Sequence, residues 1–295
     1  MDNNVSHTGE GQAEIKAGES TKIEIEIKEI EITPDPVEEE KIFYWQNNYL
    51  YSINTDGSNK KKIVKSSSNA SAIPSKIASY PGIRKVIFSH DNNIYRLDLD
   101  TLNYEELGSG SNPTWSPNGN KIAYRYVLDS KPNCGNIGIL DYDSTSTSNA
   151  NVKTGDPYSP VWLDDNRIMV WKKEVSSSLY YRHLFIANLQ DDTTDIYLSN
   201  TEIAGIYSAN LGEVLISYDG YMCIVNPAED EQGRNIIRIR KCANIKSASF
   251  NRDNQKIVYE YAGDIYIMHR DGTRRSNITN TPYSAGVEKN PSFVY

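Results

Sequence analysis

The side chains best suited to chemistry are four histidines and three cysteines, and neither set is spaced as a reactive site. Cys134, Cys223 and Cys242 form no CxxC pair and have no histidine at zinc-ligand spacing. His7 lies in a polar, glycine-containing start, whereas His90, His183 and His269 fall where strands are expected to end. By chain position His90 comes before the third strand of its repeat and His269 after it. That places them on opposite faces, so they share no site and read as surface or turn residues. There is no Gly-x-Ser-x-Gly elbow, no His-Glu-x-x-His pair and no phosphate-binding loop. Gly108-Ser109-Gly110-Ser111 lacks the third glycine and the strand-to-helix context of a dinucleotide fingerprint. The expectation is no catalytic residue, no metal and no cofactor.

Recognition chemistry is easier to find. Trp171-Lys172-Lys173-Glu174 and Leu179-Tyr180-Tyr181-Arg182-His183 combine rigid aromatics with arginine, the composition of interface hot spots. They bracket segment 172–182, expected to be a long loop on the same face as two others, 127–136 and 280–290, and loops on a rigid scaffold commonly carry binding residues. Tyr180, Tyr181 and Arg182 are therefore candidate partner-binding residues. The competing reading is that the two tyrosines simply begin the next strand.

The elements that would position these groups announce themselves by repetition, which precedes any local assignment. Six apolar triplets recur: Ile42-Phe43-Tyr44, Val86-Ile87-Phe88, Ile122-Ala123-Tyr124, Ile168-Met169-Val170, Val214-Leu215-Ile216 and Ile257-Val258-Tyr259, at steps of 44, 36, 46, 46 and 43 residues. A second triplet follows each, as in Leu50-Tyr51-Ser52 and Ile265-Tyr266-Ile267, and several run into turn formers such as Asn54-Thr55-Asp56-Gly57 and Arg270-Asp271-Gly272-Thr273. Each pair reads as a β-hairpin. A short strand ahead of it and a variable strand behind complete a four-stranded unit of about 43 residues, the signature of a propeller blade. At the end, Asn290-Pro291-Ser292-Phe293-Val294-Tyr295 reads as an innermost strand with nothing after it, while residues 41–65 supply a blade lacking its innermost strand. Joining the two closes the ring and leaves no open sheet at the seam. The expected fold class is all-β: a six-bladed propeller over 41–295, with other blades starting near 75, 112, 158, 203 and 245. The expected inner-strand aromatics are Trp115, Trp162, Tyr207, Phe250 and Phe293, packing between neighbouring blades.

Charge divides the chain differently. The net charge is −8, yet residues 1–40 alone hold 12 Asp or Glu against 3 Lys, leaving a body with 28 basic and 27 acidic residues. A neutral body has no long-range field to draw in nucleic acid or an anionic membrane, so neither partner is expected. No apolar run approaches the roughly 20 residues that span a bilayer. The start MDNNVSHTGE lacks the basic and apolar regions of an export signal. The compartments consistent with that are the cytoplasm or a larger particle such as a phage tail or toxin assembly, and the envelope if Met1 stands where a signal was removed.

Within the acidic segment, residues 21–33 alternate apolar with charged: Ile23, Ile25, Ile27, Ile30 and Ile32 form one stripe, with a slip at Lys28-Glu29 that suits a bulge. A strand with an isoleucine face needs a sheet to cover it. Residues 1–40 are thus expected to be an acidic arm carrying a strand. It would pair with an outer blade strand, remain unordered, or add itself to a sheet in another subunit. The last mode makes the five isoleucines partner-binding residues.

The stretches NPTWSPNGNKIAY and DIYIMHRDGTRRSNIT resemble the repeat of TolB-like six-bladed propellers, whose units read roughly Pro-x-Trp-Ser-Pro-Asp-Gly, a strand, Asp-Ile-Tyr and Asp-Gly. YLYSINTDGSNKKKI is also similar to the propellers of lipoprotein-receptor relatives. The resemblance covers 41–295, departing in blade five, where NPAEDEQGRN replaces a short turn, and in blade two, which lacks the tryptophan. With no catalytic motif in the chain and an arm that needs a sheet, the expected function is a non-enzymatic protein-interaction or scaffolding propeller tied into an assembly by its amino-terminal strand. The alternatives are a sugar or peptide ligand in the central channel, or a hydrolase or lyase using channel carboxylates.

Overall fold

In the computed structural model the described residues are 40–294, apart from 66–75, 81–82, 128–134, 143–146, 151–157, 177–178, 192, 201–202, 230–234, 242–244 and 282–287. The striped segment with Ile23, Ile25, Ile27, Ile30 and Ile32 lies outside them. The described residues contain no helix, hence none long and apolar enough to cross a membrane.

Six four-stranded antiparallel sheets follow one another along the chain. Blade 1 holds β1 (Lys41–Gln46), β2 (Tyr49–Asn54) and β3 (Lys61–Lys65); blade 2 holds β4 (Ile77–Tyr80), β5 (Ile83–His90), β6 (Asn93–Asp98) and β7 (Tyr104–Ser109). Blade 3 is β8 (Ser111–Trp115), β9 (Lys121–Val127), β10 (Gly135–Asp141) and β11 (Thr147–Ala150). Blade 4 is β12 (Tyr158–Trp162), β13 (Arg167–Ser176), β14 (Leu179–Asn188) and β15 (Thr193–Asn200). Blade 5 is β16 (Ile203–Asn210), β17 (Glu213–Tyr218), β18 (Tyr221–Val225) and β19 (Ile237–Lys241); blade 6 is β20 (Ala248–Phe250), β21 (Lys256–Tyr261), β22 (Asp264–His269) and β23 (Ser276–Asn277). The last strand, β24 (Glu288–Val294), pairs with β1 as the innermost strand of blade 1. The inner strands touch in the order β24, β4, β8, β12, β16, β20 and back to β24. The ring is closed by the C-terminal strand.

The triplets are continuously apolar for a reason this architecture supplies. They form the second strand of each blade, a middle strand whose two faces both pack on neighbouring blades, so Ile42, Phe43 and Tyr44 are all buried instead of alternating. Burial fades outward: β3 and β19 are mostly exposed and β7 is half so. Hairpins between middle strands close through two residues with positive φ, such as Asn47-Asn48 (48° and 62°) and Asp91-Asn92 (50° and 61°), the geometry whose twist matches the strands. Gly57 (φ 88°) and Gly272 (φ 82°) sit in the turns before outer strands. A Cβ there would lie 2.9 Å from the Ile278 carbonyl oxygen and 2.8 Å from that of Ile239, so each turn presses on the preceding blade where only glycine fits.

One register and one strand boundary depart from expectation. Trp115, Trp162, Phe250 and Phe293 each face the first residue of a triplet, namely Ile122, Ile168, Ile257 and Ile42. In blade 5 that position, opposite Val214, belongs to Ala209 and not to Tyr207, because the strand shifts register between Ile206 and Ser208. Segment 280–290 is also only partly a connection, since β24 begins at Glu288.

Candidate functional site

The inner strands enclose a central cavity of about 600 Å³, within the range of small-ligand sites. Its wall includes Trp115 and Trp162, the hydroxyls of Ser79, Ser208 and Ser292, and Lys76. The indoles brace the ring: Trp115 Nε1 donates to the Ala78 carbonyl (3.3 Å) and Trp162 Nε1 to that of Thr114 (3.2 Å), each reaching the inner strand of the preceding blade. Ser79, which holds the tryptophan position in blade 2, donates through Oγ to the Phe293 carbonyl (2.7 Å). Tyr207 reaches the other way, its hydroxyl donating to the Ile245 carbonyl (2.8 Å) ahead of blade 6. Lys76 Nζ is enclosed without a hydrogen-bond partner, and burial pulls its pKa down to about 8.

A second constellation lies at the edge between blades 3 and 4. The Arg125 guanidinium sits 4.5 Å from the Tyr158 ring centroid, and Tyr158 stacks on Trp171 at 5.0 Å and 28°. The register explains this stack: Tyr158 at the start of β12 faces Trp171 on β13, and Arg125 comes from β9 of the adjacent blade. All three are half-buried, presenting rigid aromatic area and a cation to solvent. Segment 172–182, expected to be a loop, instead continues the hairpin. Strands β13 and β14 pair from Arg167 with Asn188 out to Ser176 with Leu179, whereas β15 pairs with β14 only as far as Arg182. The hairpin therefore outruns its blade as a two-stranded ribbon that contains Tyr180 and Tyr181 in β14. Arg182 stands at its root, where Nη1 donates to the Ile203 carbonyl (2.5 Å) of blade 5, so this guanidinium ties two blades together.

The histidines separate in the structure. His90 ends β5 and is buried, not exposed as expected, and its burial lowers its pKa. His183 lies within β14, not at a strand end, with its ring 5.8 Å from Phe185. Among the described residues no three His, Cys, Asp or Glu side chains gather as a metal would need. Cys223 is buried, and burial pushes its thiol up to about 11. Sequence reading found Trp171 but missed Arg125 and Tyr158, because no linear spacing links residues that converge across a blade boundary.

A different polar cluster marks the ring seam. Glu288 is fully buried at the start of β24; its Oε1 accepts from Gln46 Nε2 (2.7 Å) and from Thr281 Oγ1, while its Oε2 has no hydrogen-bond partner. Gln46 in turn accepts from Lys60 Nζ (2.9 Å). Buried Glu260 accepts from the Asn290 amide (3.3 Å). Burial holds both carboxyls above the ordinary range.

Comparison with solved structures identifies the architecture. TolB from Acinetobacter baumannii superposes with a TM-score of 0.66 at 15% identity, covering 86% of this chain and 67% of that one. The chain folds as a TolB-like six-bladed β-propeller. A chain of the nidogen/laminin complex matches at a TM-score of 0.66 and 10% identity over 86% of this chain and 98% of that one. An oligogalacturonate lyase solved with manganese matches at 0.50 and 15% over 81% and 74%. No family model and no curated protein matches the sequence. At such identities the likeness carries the TolB-like fold alone, and that fold serves proteins of different activities.

Proposed function

We propose that this TolB-like propeller is a non-enzymatic interaction or scaffolding module. It takes a protein partner on the blade 3–4 face and is tied into an assembly by strand addition of its amino-terminal arm. The observation that carries the reading is the Arg125–Tyr158–Trp171 stack beside a ribbon that outruns its blade. Stacked aromatics with a seated arginine lose little side-chain freedom on binding, which is why such groups dominate interface energetics. The arm contributes the opposite kind of element: an isoleucine-striped strand that gains a sheet only by joining one. The nidogen/laminin complex offers a precedent for this fold inside a protein assembly. Affinity capture with the full chain and with a form lacking residues 1–40 tests the arm. The full chain is expected to retain a partner that the folded truncation loses, and equal capture by both refutes strand addition.

The cavity favours a second reading, a small ligand in the channel, because Lys76 offers an unpaired amine in a wall otherwise rich in hydroxyls. A thermal-shift series with saccharides, short peptides and divalent ions separates the two readings. A ligand that raises the melting temperature and loses that effect in Lys76→Gln supports the channel.

A further inference from the structure

The outer strands of the blades differ sharply in charge. β3 reads Lys61-Lys62-Ile63-Val64-Lys65 and follows directly on Lys60. β7 carries Glu105 and Glu106, β15 carries Asp195, and the chain of β11 and β23 holds no charged residue. β19 is also basic. On the other outer strands two of the charges are neutralised within the blade: Glu105 pairs with Arg96 at 2.6 Å, and Arg238 with Asp219 at 2.9 Å. Among the described residues, none of Lys60, Lys61, Lys62 and Lys65 has a carboxylate at ion-pair distance.

These lysines are nevertheless held in place. β2 and β3 pair Tyr49 with Lys65 and Tyr51 with Lys62, with a register shift between Leu50 and Tyr51. That bulge places Lys62 and Lys65, three residues apart, on the tyrosine side of the blade. Lys62 Nζ sits 3.8 Å from the Tyr49 ring centroid and Lys65 Nζ 5.9 Å from the same ring; Lys60 Nζ sits 4.8 Å from that of Tyr51. The result is a row of lysines seated on aromatic faces, Lys62 and Lys65 exposed and Lys60 also bonded to Gln46, along a sheet edge beyond which no further strand lies among the described residues.

Lysines on an edge ordinarily keep it from pairing with other sheets by like-charge repulsion. That protection is selective, because it repels a basic strand, offers a neutral one only the cost of desolvating the ammonium groups, and attracts an acidic one. We propose that the outer edge of blade 1 binds an acidic, extended polypeptide segment, which adds to β3 as a fifth strand. Carboxylates on alternate residues of such a segment fall on one face of the extended sheet, within reach of Lys62 and Lys65, while its backbone satisfies the open edge of β3. This surface is on a different blade from the aromatic stack, so it stands or falls separately from the partner site proposed above.

The test uses the full chain and a labelled peptide of alternating valine and glutamate, followed by fluorescence anisotropy. The acidic peptide is expected to bind, and an alternating valine–lysine peptide is not. K62E/K65E should weaken binding by about tenfold or more, whereas the charge reversal K121E on blade 3 should leave it unchanged. Binding should also fall steeply as salt shortens the screening length from about 10 Å at 0.1 M to about 3 Å at 1 M. Polyglutamate and oligothymidylate of equal charge should bind at least about tenfold more weakly, since neither supplies a strand. Because the double reversal alters the edge itself, hydrogen exchange on the unmodified chain gives a second readout. The peptide should slow exchange at the amides of β3. No binding, binding indifferent to K62E/K65E, or unchanged β3 exchange overturns the proposal. Equal binding of polyglutamate or oligothymidylate also overturns it, by showing a general polyanion surface.

Discussion

Replacing Glu288 with Gln should stabilise this propeller at neutral and alkaline pH and leave it almost unchanged at acidic pH. Glu288 has no accessible surface and directs one oxygen at Gln46 and Thr281, while the other has no partner. Burial raises its pKa, with Asp264 adding to the shift and the Thr281 bond opposing it in part. The unfolded chain gives up this proton near the ordinary glutamate value of about 4.3, whereas the folded chain keeps it to higher pH. Stability from this group is therefore fully present below the ordinary value. It is lost as pH rises toward the raised folded value, after which it levels off. Gln keeps the volume and the Oε1 acceptor and removes the buried charge, whose unsatisfied oxygen is the kind of group that costs about 1–3 kcal/mol. The gain at pH 8 should be of that order, shrinking toward zero near pH 4. Urea denaturation at several pH values, followed by tryptophan fluorescence, measures the difference between the two proteins, in which the other carboxylates cancel. A difference that is constant with pH, or that favours the wild type at pH 8, would refute the reasoning.

Trp162→Phe removes the bond to the Thr114 carbonyl and leaves part of the buried indole's volume unfilled, and it should cost at least about 1–2 kcal/mol in the same assay. Trp115→Phe should cost a similar amount, and a double-mutant cycle should show the two losses to be coupled, because the Thr114 carbonyl that Trp162 bonds belongs to the peptide joined to Trp115. Cys223 should resist alkylation at pH 8 in the folded protein, since its thiol titrates near 11 and its side chain is buried; site-resolved mass spectrometry should show it modified only after denaturation. Deleting residues 288–295 should expose the inner edge of β1 and abolish cooperative unfolding, which circular dichroism on heating would reveal.

The propeller was legible because its constraint is local. A middle strand packed on both faces must be apolar at each step, so six triplets at steps of 36 to 46 residues count the blades. What escaped the sequence depends on register and on neighbours distant in the chain. The shift between Ile206 and Ser208 puts Ala209 where an aromatic was expected, and bulges leave no mark in composition. The polar residues of 172–182 read as a loop because alternation there is weak, although backbone pairing carries the strands to Ser176 and Leu179. His90 reads as a turn residue but is covered through its contact with Trp45, at 6.1 Å between ring centroids, from blade 1. Glu288 looked like part of a connection, and only ring closure, which sets it against Gln46, buries it. The same limit applies to the aromatic stack, assembled from three strands of two blades.

The most direct test of the interaction reading is quantitative affinity capture from native lysate, comparing the full chain with Arg125→Glu and Trp171→Ala, each checked for native near-ultraviolet circular dichroism. The account predicts that both folded variants lose the same partner while the Lys121→Glu control retains it. Undiminished capture by both would contradict it and move the functional site away from the blade 3–4 face.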